Sequence, residues 1–187
     1  MEQKESARFQ VGVAGYGGQG ILTIGKFLAE AGMSRYKHVV FSPSYGGAQR
    51  GGESTCSVTL SDEEIGALVP LNPSTAIIMS PEALQDLGKR VKPGSILFVD
   101  SSIVSDKVNR DDIKVFYIPA TERALKLGDS RVAGFVLLGA YLEATKAIPL
   151  ELMEKAVEKK LAGGRGEALL SLNKQALREG ARLVSSA

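Results

Sequence analysis

Cysteine is almost missing from this sequence: the 187 residues contain one, Cys56. A lone thiol cannot close an internal disulfide, and with no paired-cysteine spacing there is nothing to hold zinc or an iron–sulfur cluster. Any electron-carrying metal must therefore sit elsewhere. Histidine is equally scarce, with His38 alone. A catalytic triad needs a base beside its nucleophile, yet Gly-x-Ser-x-Gly is missing and the one imidazole precedes the second strand, at the end expected to lie away from the glycine loop. Scattered carboxylates give no metal-ligand spacing. No catalytic residue and no metal site are assigned. Cys56 is placed in the core as a small hydrophobe.

Charge of one sign is also lacking. The formal net charge is only +2, so nucleic acid is not an expected partner. No apolar run approaches the ~20 residues of a spanning helix, and the opening Met1-Glu-Gln-Lys-Glu-Ser6 lacks a signal-peptide pattern. No membrane partner and a cytoplasmic location are expected. No repeat, low-complexity tract or composition shift divides the chain, so residues 1–187 are read as one domain.

What the chain does have is glycine in one arrangement. Val11 to Ala14 reads as a buried strand, Gly15-Tyr-Gly-Gly-Gln-Gly20 ends it, and a helical pattern follows from Ile21. Gly15, Gly17 and Gly20 have the spacing of a phosphate-cradling turn, with the helix start offering unpaired N–H groups to an anion. A dinucleotide site would add a carboxylate at the end of the next strand, but Val39-Val-Phe41 runs into Ser42-Pro43. The loop is thus open to three readings: a dinucleotide site, a purely structural turn, or a site for another phosphorylated ligand or a partner chain.

The connection Ser42-Pro-Ser-Tyr-Gly-Gly-Ala-Gln-Arg-Gly-Gly52 is glycine-rich and carries one ring, one cation and several hydroxyls. Arg50 suits a bidentate phosphate clamp, or a pairing across a subunit contact. Tyr45 suits stacking on a base or capping the core. Glu53 to Leu60 alternates and predicts a strand with one covered face, and Ile65 to Pro70 a short extended piece. Further strands are expected at Thr75–Met79, Ser95–Val99 and Lys114–Ile118. Helices are expected after Pro81, over 82–91, and after Pro119, over 121–126. The recurring strand, turn and helix predict an α/β chain with a mainly parallel sheet and helices on both faces. Val132 to Ala147 is apolar nearly all round, which means a central buried helix or one covered by another chain. Leu150–Leu161 and Glu167–Val184 complete the helices.

Taken together, Gly15-Tyr-Gly-Gly-Gln-Gly20, Pro43-Ser-Tyr-Gly46, Arg50-Gly-Gly52 and Cys56-Ser-Val58 resemble the gamma subunit of the 2-oxoacid:ferredoxin (acceptor) oxidoreductases. The resemblance runs from about Arg8 through the helix after residue 132, and Ile65-Gly66 and Asn72-Pro73 also fit. It implies a Rossmann-like three-layer fold. It also implies one subunit of an enzyme that oxidatively decarboxylates a 2-oxoacid, 2-oxoglutarate being favoured, to an acyl-CoA and reduces ferredoxin. Thiamine diphosphate and iron–sulfur clusters would then belong to alpha, beta and ferredoxin-like delta partners, and coenzyme A would be the co-substrate near this chain. By position, Gly15, Gly17, Gly18, Gln19, Gly20, Ser44, Tyr45 and Arg50 become candidates for contact with coenzyme A or a neighbouring subunit. The indolepyruvate oxidoreductase beta subunit shares the loop and Ala48-Gln-Arg-Gly-Gly52, so it stands as an alternative, beside a stand-alone nucleotide-binding Rossmann protein.

Overall fold

The computed structural model describes residues 8–45, 52–161 and 167–185. Six strands form one sheet: β1 (Arg8–Tyr16), β2 (His38–Tyr45), β3 (Glu53–Ser61), β4 (Thr75–Ile78), β5 (Ile96–Asp100) and β6 (Lys114–Ile118), in the spatial order β2-β3-β1-β4-β5-β6. β1, β4, β5 and β6 are parallel, as expected from strands separated by crossovers. β3 is antiparallel to both β1 and β2 and lies between them. The reason is chain length: residues 46–52 are too few for a parallel crossover, which needs about a dozen or more residues, so β2 and β3 pair as a hairpin. Because β2 still runs parallel to β1, their carboxyl ends share one rim of the sheet.

Two expectations about this region are corrected. β3 was expected to have one covered face, yet it is buried on both from Cys56 to Ser61. Cys56, Val58 and Leu60 face helix α1 (Ile21–Gly32), where Gly25 and Gly32 let the helix approach: a Cβ on Gly25 would sit 2.5 Å from the Cys56 Sγ. Burial pushes the Cys56 thiol up to about 12. Ser57 and Thr59, on the opposite face, are also buried. Residues 65–70 form no strand; 62–74 is an irregular segment.

The helices divide unevenly between the two faces. α2 (Pro81–Arg90) covers one, setting Ala83, Leu84 and Leu87 against Ala14, Ala76, Ile78 and Val99. Its boundaries follow from its chemistry. The Ser80 hydroxyl accepts from the Ala83 N–H at 3.1 Å, Pro81 occupies the first position, and Glu82 and Lys89–Arg90 complement the helix dipole. On the other face lie α1, α3 (Ala120–Leu127), α4 (Ala133–Thr145), α5 (Leu150–Leu161) and α6 (Glu167–Ser185). α4 is the apolar helix, and every residue from Ala133 to Leu142 is buried within this chain. Of the two readings of its composition, the central buried helix is the one observed. Among the described residues no helix is long and apolar enough to cross a membrane.

Candidate functional site

In an open α/β sheet, ligands bind outside the carboxyl ends of the strands, where helices leave toward opposite faces. Here that point lies between β1 and β4, because α1 follows β1 onto one face and α2 follows β4 onto the other. The turn Tyr16–Gly20 forms one lip. Gly18 and Gly20 have φ of 99° and 78°, a region that favours glycine. Gly20 is also the N-cap of α1, which carries neither a side-chain cap nor an acidic residue in its first turn. The amides of that first turn have no intrahelical acceptors, so they face the rim as donors.

The candidate residues fall into different roles. Gly15 is buried, and a Cβ there would meet the Gln19 Oε1 at 2.5 Å and Met79 at 2.9 Å. Gly15 is therefore required for the close fit of the turn against β4. The Gly17 N–H donates to the Gly52 carbonyl at 3.0 Å, which joins the glycine turn to the start of β3. Gln19 turns inward: its Oε1 accepts from the Tyr16 N–H at 2.6 Å and its Nε2 donates to the Met79 carbonyl at 2.9 Å. The sequence suggests Gln19 as a ligand contact, whereas its geometry is that of a brace across the crevice. A Gln19→Ala variant should lose about 1–2 kcal/mol of stability, read as a lower urea midpoint, because it leaves the Tyr16 amide and Met79 carbonyl without these partners. Ser44 does not join this rim; it opens, with Ser42 and Ser57, onto another cleft beside α2. Arg50 and the side chain of Tyr45 lie outside the described residues.

The structure adds residues that motif reading missed. A cleft of about 200 Å³ beside the turn is lined by Gly18, Gln19, Met79, Ile103, Thr121 and Arg131 among others. Arg131 arrives from a 3₁₀ turn, Ser130–Val132, just before α4. Its guanidinium is held by Asp129, Nη2 donating to Oδ2 at 2.5 Å, and it is largely exposed. These hydrogen bonds hold the Asp129 carboxyl below the usual range. Thr121 is positioned by Asp100, fully buried at the end of β5, whose carboxylate accepts from the Thr121 Oγ1 at 2.6 Å and N–H at 3.2 Å.

The opposite side of the turn is acidic. Glu53 begins β3 beside Tyr16, and Tyr16 donates its hydroxyl to Glu82 on α2. That bond raises the tyrosine pKa and lowers the carboxyl's. The Glu53–Glu82 side is acidic, whereas the other side carries the first-turn amides of α1 and Arg131, whose guanidinium is paired with Asp129. Among the described residues no group of histidine, cysteine, aspartate and glutamate side chains could hold a metal ion.

A Rossmann-like three-layer α/β domain with a donor-lined rim at its strand ends is the class this geometry defines. Within it, the chain belongs to the pyruvate ferredoxin/flavodoxin oxidoreductase family, whose model matches residues 10–183. It is 35% identical to the 2-oxoglutarate synthase subunit KorC of Methanothermobacter marburgensis, covering 86% of this chain and 90% of that one. It is 31% identical to the ketoisovalerate oxidoreductase subunit VorA of Methanothermobacter thermautotrophicus over 97% of this chain. The chain spans only 37% of the length of that VorA. Among solved structures it is similar to the gamma subunit of a keto/oxoacid ferredoxin oxidoreductase from Geobacter sulfurreducens PCA. The TM-score is 0.83 at 29% identity, covering 97% of this chain and 98% of that one.

Proposed function

We propose that this chain is the gamma subunit of a 2-oxoacid:ferredoxin oxidoreductase that converts a 2-oxoacid, 2-oxoglutarate in the first instance, into an acyl-CoA. The observation that carries this reading is the similarity to KorC along nearly the whole of both chains. The carbon chemistry would come from thiamine diphosphate and the electron transfer from iron–sulfur clusters on partner alpha, beta and delta chains. A single buried cysteine suits that division of labour, since it cannot supply a thiolate set for a cluster.

The part assigned to this chain is binding and positioning of coenzyme A. The uncapped α1 start would take a phosphate on its first-turn amides, with Arg131 on the same side of the turn and Arg50 as a second guanidinium. Gln19, Gly15 and the Gly17–Gly52 bond would hold that turn in shape before the ligand arrives, which lowers the ordering cost of binding. The acidic Glu53–Glu82 side would keep phosphates on the α1 side.

A charge placed at the third position of α1 tests this directly. Thr23 is exposed there. Thr23→Glu puts a carboxylate where the helix dipole favours it, so folding stability should hold or rise by a few tenths of a kcal/mol. In the assembled enzyme the same carboxylate would repel an incoming phosphate, and the coenzyme A KM should rise about tenfold or more while the 2-oxoacid KM stays within about twofold. An unchanged coenzyme A KM would reject the site.

A further inference from the structure

We propose that Asp129 is a resting-state counter-ion for Arg131, and that a phosphate arriving at the start of α1 takes the guanidinium from it. The inference rests on the coenzyme A site proposed above and deepens it by naming the residue that regulates access to its cation.

The 3₁₀ turn that carries Arg131 is seated against the glycine turn. A Cβ on Gly20, the N-cap of α1, would lie 3.9 Å from the Arg131 carbonyl oxygen, and one on Gly134, in the first turn of α4, 3.5 Å from the Gln19 carbonyl oxygen. Ser130 and Arg131 line the same cleft as Gly18 and Gln19. Yet the guanidinium is already engaged. Its Nε donates to the Asp129 Oδ2 at 2.8 Å and to Oδ1 at 3.0 Å, and its Nη2 donates to Oδ2 at 2.5 Å. That edge is a fork with which arginine grips two oxygens of a phosphate, so the carboxylate and a phosphate compete for it.

Two features make exchange, rather than blockage of the site, the consequence. The Asp129 carboxylate has another donor: its Oδ1 accepts from the Arg131 N–H at 2.9 Å, capping the 3₁₀ turn, while the Asp129 N–H donates to the Ala124 carbonyl at 3.1 Å. The carboxylate therefore stays in place and keeps a hydrogen bond when the guanidinium leaves. The Arg131 side chain is 71% exposed against 20% for Asp129, so the arginine is the member with room to move. An ion pair this exposed favours the paired state by a factor of about five at most. A phosphate at the start of α1 adds the first-turn amides to the same guanidinium, and the exchange runs toward the ligand. An anion that cannot also use those amides gains little by displacing Asp129.

The test is a double-mutant cycle on the assembled enzyme. Asp129→Asn keeps an oxygen for the Arg131 N–H but removes the competing charge. The coenzyme A KM should fall about three- to fivefold, with kcat and the 2-oxoacid KM within about twofold. Arg131→Ala should raise the coenzyme A KM about tenfold. In that background Asp129→Asn should change it by less than about twofold, because no guanidinium is left to release. If the pair only staples the 3₁₀ turn, Asp129→Asn leaves the coenzyme A KM unchanged, and that result would overturn the exchange. An equal gain with and without Arg131, which is general relief of charge, would overturn it too. A crystal structure of the enzyme with coenzyme A gives a second readout that needs no variant. Arg131 should sit on a phosphate with Asp129 still on the Arg131 N–H, whereas an intact Arg131–Asp129 pair beside bound coenzyme A contradicts the proposal. Thr23→Glu reports separately on the α1 site: a raised KM there with no effect of Asp129→Asn rejects the exchange alone, and no effect of either rejects the reading on which it rests.

Discussion

Replacing Gly180 by alanine should destabilise the domain by about 3 kcal/mol or more, although alanine is the better helix former by about 1 kcal/mol. Gly180 on α6 lies directly against α4, where an added Cβ would occupy the space of the Val136 carbonyl and the Ala140 amide. Gly139 on α4 faces the Leu177 backbone in the same way. In both cases the obstacle is backbone, which cannot swing aside as a side chain does. The two helices would have to separate along their contact, removing α6 from the buried stretch of α4 and loosening the core on that face of the sheet. Gly139→Ala should act in the same direction. Gly66, with nothing near its Cβ direction, is the control, and Gly66→Ala should stay within about 0.5 kcal/mol. Urea unfolding midpoints of the three variants check this ordering.

Asp100→Ala should cost about 3 kcal/mol. The carboxylate is fully buried and accepts from the Ser102 N–H at 3.1 Å as well as from the Thr121 N–H and hydroxyl. α3 has Pro119 at its N-cap, with no side-chain cap of its own, so a strand residue serves the first turn of a helix from across the fold. Removing the carboxylate strands three donors at once. Asp100→Asn should recover part of the loss, because one amide oxygen can still accept. Thr121 lines the cleft beside the glycine turn, so the same substitution should also disturb that rim. Thermal unfolding with and without coenzyme A in the assembled enzyme would read both effects.

Several parts of this architecture were legible in the residues. Glycines at 15, 17 and 20 announced a strand, a turn and a helix, and the uniform apolarity of Ala133 to Leu142 announced a helix without a solvent face. α5 falls on the expected residues because its charged and apolar positions alternate with helical period and glycines follow it. The place of β3 was harder to see, because alternation of Ser57 and Thr59 with Val58 and Leu60 speaks of a polar face toward water. Those hydroxyls are buried instead, and periodicity reports only residue type, not what a distant segment will cover. The short 46–52 connection did carry the answer to strand direction, through its inability to make a crossover.

The site was less legible than the fold for a related reason. Gln19 reads as a polar group offered to a ligand, but its partner, the Met79 carbonyl, lies just past the end of β4, whose proximity follows only from sheet order. Arg131 stands far along the chain from the glycine turn and belongs to no motif. It reaches the rim because α3 and the 3₁₀ turn return the chain to the carboxyl ends of the strands. Glu53 belongs to no motif and comes beside the glycine turn because β3, not β2, is the neighbour of β1.

The central claim is that this polypeptide works only within a multi-chain oxidoreductase. It is tested most directly by measuring 2-oxoglutarate- and coenzyme A-dependent reduction of ferredoxin or a viologen dye, with the chain purified alone and with the complex purified through it. The account predicts turnover by the complex and none by the lone chain; sustained turnover by the lone chain would contradict it.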